Sequence, residues 1–490
     1  MRGRLRWTLA LAPVAFLVAA GLAICWPRER TGRLRVEPRV VGRTPRLVGT
    51  NTGHWLPTTG MADWLADSGF NAVRIWASFG RLLTPDSSAG TSIQDQAGFE
   101  RARAAVLAAP RANPYLNWTG YDAAFATPNT EGSNQYALDF AVGDARAHGF
   151  EVVLNVTPVR SESRSGELWP ATWAERWAWW AYCFVLAYHL DIERHLAVHY
   201  FELDNEPEQR LAGRADAAGD ILRALELGAD AVRAAAGLDG AQSEVQILGP
   251  VSERPDSPLL PYLLAAAPRT VDVLDYHRSS GDPDFHAAGV LGVRRLEELQ
   301  PDALPRPIFV TEWGTVAGRD EPTQDKALPK VGLLDARIAR AYALSGADGI
   351  FQFKFQRTGG TNRGLVTVSD NADHAIGGPV KGYFAHRMLA RAIAGGRDIL
   401  QTTEPGWPLE PLATRIGPDR YVVTVINPEE GRWRLDLDVA PIGSPVDATV
   451  RLYDAEHDDA PTATFTRAAS PLTVHLPAYS IVQVEFQPAA

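Results

Sequence analysis

Two segments, His199-Tyr200-Phe201-Glu202-Leu203-Asp204-Asn205-Glu206-Pro207 and Pro307-Ile308-Phe309-Val310-Thr311-Glu312-Trp313-Gly314, each close an apolar run with a glutamate. Glu206 and Glu312 therefore stand at the carboxyl ends of two expected strands, the edge where parallel barrels hold their reactive groups. Two carboxylates facing one mouth suit hydrolysis of a glycosidic bond. One protonates the departing oxygen; the other attacks the anomeric carbon at a separation of about 5–5.5 Å, or activates water at about 6.5–9.5 Å. Either glutamate taken alone is equally a surface charge near a helix N-terminus, where acidic residues are favoured. The pairing depends on the elements that carry them.

Between residues 46 and 394, short β-branched runs alternate with longer helical stretches, the pattern of repeated βα units. Eight candidate strands follow: Leu47–Asn51, Ala72–Ala77, Val152–Thr157, His199–Asp204, Val245–Gly249, Val271–Tyr276, Ile308–Glu312 and Gly349–Lys354. They predict an α/β fold built as a (β/α)8 TIM barrel, because the competing doubly wound sheet lacks a Gly-rich turn after its first strand. Glu206 then follows the fourth strand and Glu312 the seventh. Adjacent strand residues point to opposite faces, so Asn205 and Glu206 reach one site only if regular strand geometry breaks at Asp204–Glu206.

With these strand positions, the chain resembles clan A of the glycoside hydrolases, whose members place an Asn-Glu-Pro acid/base after the fourth strand and a nucleophilic Glu after the seventh. The matching residues are Asn205-Glu206-Pro207 and Thr311-Glu312-Trp313-Gly314. The resemblance implies a retaining double displacement, with Glu312 as nucleophile and Glu206 as acid and then base. Arg74, in Val73-Arg74-Ile75, is similar to the clan's second-strand arginine, which implies that it keeps the nucleophile ionised. Asn205 is implied to contact the sugar's 2-hydroxyl.

Within the clan, family 39 is the nearest likeness, with some family 5 character. The likeness runs through Asn117-Trp118, the Trp-rich helix before Glu206, Gly364-Leu365-Val366, Lys381-Gly382-Tyr383 and a trailing β-domain. Two motifs depart. Where the clan often has His-x-Tyr after the sixth strand, this chain has Tyr276-His277-Arg278-Ser279, leaving either Tyr276 or His277 to orient Glu312. Where the eighth strand often ends in a Trp, this one reads Phe351-Gln352-Phe353-Lys354. Lys354 either recognises an acidic sugar or pairs with a neighbouring carboxylate. Trp313, His54 and Trp55 are read as lining the sugar cleft.

Arg2, Arg4 and Arg6 precede the 20-residue apolar run Trp7–Trp26, enough for a helix to cross about 30 Å of hydrocarbon. It is read as a signal anchor, with a cleaved signal peptide as the alternative. The expected organisation is residues 1–32 as anchor or signal, 33–394 as barrel and 395–490 as a β-sandwich, in an extracytoplasmic protein that is membrane-anchored or secreted. The sandwich follows from alternating segments at Tyr421–Ile426, Trp433–Val439, Ala448–Tyr453, Thr462–Phe465 and Ile481–Phe486, with Arg33–Val41 as an edge strand. In the long insertion after the second strand, the aromatic segment Asn113–Tyr121 faces sugar or pins the loop; Trp173, Trp177 and Trp180 share one helical face and are read as core.

Composition narrows the partners. The chain is 46% hydrophobic and 22% charged, which provides a packed core, and its net charge of −10 disfavours non-specific nucleic-acid binding. Two cysteines, Cys25 and Cys183, argue against disulfide or thiolate-zinc frameworks. No His-Glu-x-x-His occurs, so neither metal nor cofactor is expected. A carbohydrate is the expected partner. Two other functions fit the same residues: a carbohydrate-binding envelope protein that has lost catalysis, and a transglycosylase. Sugar, linkage and oligomeric state stay open.

Overall fold

A computed structural model of the chain describes residues 29–77, 93–128, 135–157, 170–211, 216–239, 245–300, 305–315, 325–357, 362–369, 374–403 and 408–489. Two compact units emerge, one of residues 41–399 and one that joins residues up to 40 with 400–490.

The larger unit is a closed parallel barrel whose strands are β1 (Leu47–Asn51), β2 (Ala72–Trp76), β3 (Glu151–Val156), β4 (Tyr200–Leu203), β5 (Gln246–Ser252), β6 (Val273–Ser279), β7 (Ile308–Gly314) and β8 (Gly349–Gln352). They pair in chain order, and β8 closes on β1. All eight predicted strands are present. Each contributes one inward side chain to a floor of Leu47, Ala72, Val153, Tyr200, Leu248, Val273, Phe309 and Phe351. Two residues further along, the same inward parity selects a polar layer: Arg74, Asn155, Glu202, Asp275 and Thr311, all 0% exposed. Gly49 occupies that layer on β1 because nothing larger fits. A Cβ there would lie 2.4 Å from the Ala72 carbonyl oxygen and 2.8 Å from the Phe351 ring.

The outer helices follow local signals. Helix Trp173–Ala187 opens with a capping box in which Thr172 and Glu175 satisfy each other's backbone N–H groups. Trp177 and Trp180 on it are fully buried and pack with Trp173 around Phe99, so this stripe is core. Within the long insertion, Asn117 caps helix Trp118–Ala126, and Trp118 Nε1 donates to the Pro110 carbonyl while Arg111 covers its ring. The aromatic segment is pinned by its own contacts.

The second unit is built on a nine-stranded sheet in the order Asp458–Ala468, Val446–Tyr453, Ser480–Pro488, Tyr421–Asn427, Glu410–Arg415, Asp398–Thr402, Arg30–Arg43, Trp433–Asp438 and Leu472–Leu476. Leu34, Leu435 and Val474 from one end share a single apolar cluster with Val423, Val450 and Val484 from the other. The sheet thus folds over one core, the arrangement a β-sandwich requires. The N-terminal strand, expected at an edge, lies inside the sheet, parallel to Trp433–Asp438 with Leu34 opposite Leu437. Among the described residues no helix is long and apolar enough to cross a membrane; Trp7–Trp26 lies outside them.

Candidate active site

Two departures from regular strand geometry bring the glutamates together. β4 stops at Leu203, and Asp204 and Glu206 take φ values of 99° and 47°, a left-handed conformation that non-glycine residues adopt at a cost of order 1–3 kcal/mol. The expected break is there. Glu206 N then donates to the Val251 carbonyl at 3.0 Å, tying the turn to β5. On β7 the pairing with β6 shifts between Val310 and Glu312, setting Glu312 opposite His277. That irregularity turns Glu312 inward although Thr311 before it already faces the barrel interior.

Arg74 stands between them. Its Nε donates to Glu202 Oε2 at 2.5 Å, one terminal nitrogen to Glu312 Oε1 at 2.5 Å and Asn51 Oδ1 at 2.7 Å, and the other to Asn205 Oδ1 at 2.8 Å. Burial alone lowers the affinity of Arg74 for its proton, but the Glu202 and Glu312 carboxylates outweigh it and hold the guanidinium charged. Burial likewise raises Glu202, yet Arg74 and then His277 bring its pKa below the usual carboxylate range. The guanidinium lies 4.9 Å from the centre of the Trp76 ring, which shares its inward parity and is half-buried at the mouth.

Glu206 accepts from Gln209 Nε2 at 2.8 Å through one oxygen and sits 3.0 Å from His277 Nδ1 through the other; Nδ1 is 3.9 Å from Glu312 Oε2. One atom from each of Glu206, His277 and Glu312 lies within 4.8 Å of the others, an approach that hydrogen bonding and ion pairing account for. Burial pushes the His277 pKa down, and the carboxylates of Glu312 and Glu206 reverse that, leaving a net rise.

Of the residues read from sequence, Glu206, Glu312, Arg74, Asn205 and His277 converge. Tyr276 does not. Parity sends it outward, and its hydroxyl lies 3.0 Å from where a Cβ on Gly289 would stand, in helix Pro283–Glu298. Trp313 is also corrected: alternation after Glu312 turns its ring outward, stacked on His386 at 5.6 Å and edge-on to Tyr342 at 5.9 Å. Trp55 is fully buried with Nε1 donating to Asp144, and so leaves the cleft as well. His54 stacks on His374 at 4.0 Å; burial, then His374 and Lys354, lower its pKa to about 4.

Glu202, Asp275 and Trp76 were missed. The signal for the first two was available: a carboxylate amid apolar neighbours within a predicted strand. Asp275 Oδ1 accepts from Val251 N at 2.8 Å, and burial together with the Glu202 carboxylate pushes its pKa well above the usual range.

No protein-family model and no curated protein matches this chain. Solved structures do. A glucosidase from Croceicoccus marinus superposes with a TM-score of 0.65 at 14% identity, covering 94% of this chain and 100% of its own. A family 39 β-xylosidase from Caulobacter crescentus gives 0.61 at 15% identity over 94% and 100%, and a family 30 endoxylanase from Clostridium papyrosolvens C71 gives 0.61 at 13% over 93% and 100%. The chain therefore has the fold of the clan A type of TIM-barrel glycoside hydrolases, family 39 among them, as its motifs implied.

Proposed function

We propose that this protein is a retaining glycoside hydrolase cleaving β-glycosidic bonds of a polysaccharide, oligosaccharide or glycoconjugate. The observation that carries the reading is the approach of one Glu206 oxygen to within 4.8 Å of one Glu312 oxygen, with Arg74 bound to Glu312. That approach fits the short carboxyl spacing of about 5–5.5 Å that accompanies a covalent intermediate.

In the first step Glu312 attacks the anomeric carbon as the bond to the leaving oxygen breaks, and Glu206 gives that oxygen its proton. Arg74 holds the attacking carboxylate of Glu312 in place through its hydrogen bond to Oε1. The hydrogen bond between His277 and Glu206 keeps a proton at hand on one or the other. In the second step Glu206 takes a proton from water, whose oxygen attacks the same carbon and releases Glu312. Asn205, held by Arg74, is positioned for a hydroxyl beside the anomeric centre, and Trp76 offers an aromatic face at the mouth. The names of the similar structures make xylosides and glucosides the first substrates to try. The Arg-rich leader and Trp7–Trp26 support an extracytoplasmic protein, anchored or secreted.

The test uses aryl glycosides with good and poor leaving groups. Glu312→Gln abolishes turnover on all of them, whereas Glu206→Ala spares those whose leaving group needs no proton. Equal loss on both kinds in Glu206→Ala overturns the roles, and glycan binding without hydrolysis by the native protein returns the reading to a binding protein.

A further inference from the structure

We propose that Asp275 is a positioning residue of this site: a neutral carboxylic acid whose O–H donates to Glu202 Oε1 and so fixes the carboxylate that aims Arg74 at Glu312. Only its kinetic consequence rests on the glycosidase reading. Two buried oxygens lead to it. Glu202 Oε2 is occupied by Arg74 Nε at 2.5 Å and Asn155 Nδ2 at 2.7 Å, while Glu202 Oε1 and Asp275 Oδ2 are shielded from solvent with no N–H or O–H donor placed on them. These two side chains interact directly. Were both ionised, two acceptors and two like charges would meet out of water, an arrangement of high cost. A single proton converts both orphaned oxygens into one hydrogen bond.

The proton resides on Asp275. Glu202 has the Arg74 ion pair, whereas Asp275 has the Val251 N–H on its other oxygen and sees Arg74 only from further off. The charged and titratable groups facing the pair are Arg74 on β2 and His277 on β6. From β7 the Thr311 hydroxyl faces Glu202 without a hydrogen bond to it. Burial and the Glu202 charge both act to keep Asp275 protonated.

The series Asp275, Glu202, Arg74, Glu312 therefore begins with a group that never meets substrate. An ionised Asp275 would set a second carboxylate against Glu202 and draw the guanidinium toward the barrel floor, away from Glu312. The neutral acid leaves Arg74 shared between two carboxylates, one buried beneath it and one at the mouth.

Infrared spectroscopy of the full-length protein at neutral pH, compared with Asp275→Asn and Asp275→Leu, tests this. The native protein shows a C=O stretch of an un-ionised carboxylic acid that Asp275→Asn lacks and Glu206→Gln keeps, which separates it from any band of a protonated Glu206. The asparagine amide donates the same hydrogen bond, so Asp275→Asn keeps kcat within about threefold of native, whereas Asp275→Leu, which cannot donate, loses at least about tenfold in kcat with little change in KM. Absence of the band from the native protein, its retention in Asp275→Asn, or an equal loss in both variants overturns the proposal. Should Asp275→Leu fail to fold, the band and Asp275→Asn decide. If the native protein hydrolyses no glycoside, the functional reading fails while the band still tests Asp275.

Discussion

Replacing Arg74 by methionine probes the centre of the site through stability as well as activity. The side chain is 0% exposed and pairs with Glu202, also 0% exposed, and with Glu312, 17% exposed. Removing one partner of a buried ion pair costs about 3–5 kcal/mol, because the other charge is left without compensation. Glu312 can turn toward water, so the penalty falls on Glu202. In the native barrel the Glu202 pKa is depressed, so its pairing stabilises the fold above the unfolded carboxylate value of about 4.3 and that stability is lost as pH falls through the folded value. Without Arg74, burial outweighs the remaining pull of His277, and Glu202 takes up a proton to stay inside. The penalty then shrinks by about 1.4 kcal/mol per pH unit on acidification. Urea denaturation followed by tryptophan fluorescence should give a deficit near 4 kcal/mol at pH 7, about 2 kcal/mol smaller at pH 5.5. A deficit under about 1 kcal/mol at pH 7, or one independent of pH, refutes the reasoning.

Gly49→Ala places a methyl group 2.4 Å from the Ala72 carbonyl oxygen, backbone that cannot yield without opening the β1–β2 pairing. Thermal unfolding should show a loss of at least about 2 kcal/mol, near the middle of the cost of overpacking; an unchanged midpoint would mean that the barrel wall gives way freely. His54 and His286 are each held neutral, by burial first, with pKa values of about 4. Unfolding raises both toward about 6.5, so the stability they contribute is complete above that value and lost as pH falls toward 4. His286→Asn should therefore flatten the fall in urea midpoint between pH 6.5 and 4, and an unaltered slope would remove His286 from the account.

The barrel was legible because each strand is a short run carrying β-branched or aromatic residues between helix signals, and local pattern suffices to place it. The glutamates were legible through strand position, and the break at Asp204–Glu206 through parity. What escaped depends on irregularity or distance. The register shift on β7 turns Glu312 inward and Trp313 outward, and no local signal in Val310-Thr311-Glu312-Trp313 announces it. Tyr276 and His277 differ only by parity, which the exact strand start decides. The strand Arg30–Arg43 pairs with Trp433–Asp438, and so large a separation leaves no mark on either segment. Glu202 and Asp275 were passed over because they meet only across the barrel interior, where β4 and β6 are not neighbours.

The most direct test of the central claim is the configuration of the first-formed sugar. With an active aryl β-glycoside, proton NMR recorded before mutarotation should show the β-anomer, the outcome of two inversions at one carbon through Glu312. Initial release of the α-anomer would contradict the account, because Glu312 could not then be the nucleophile and the 4.8 Å approach to Glu206 would need another explanation.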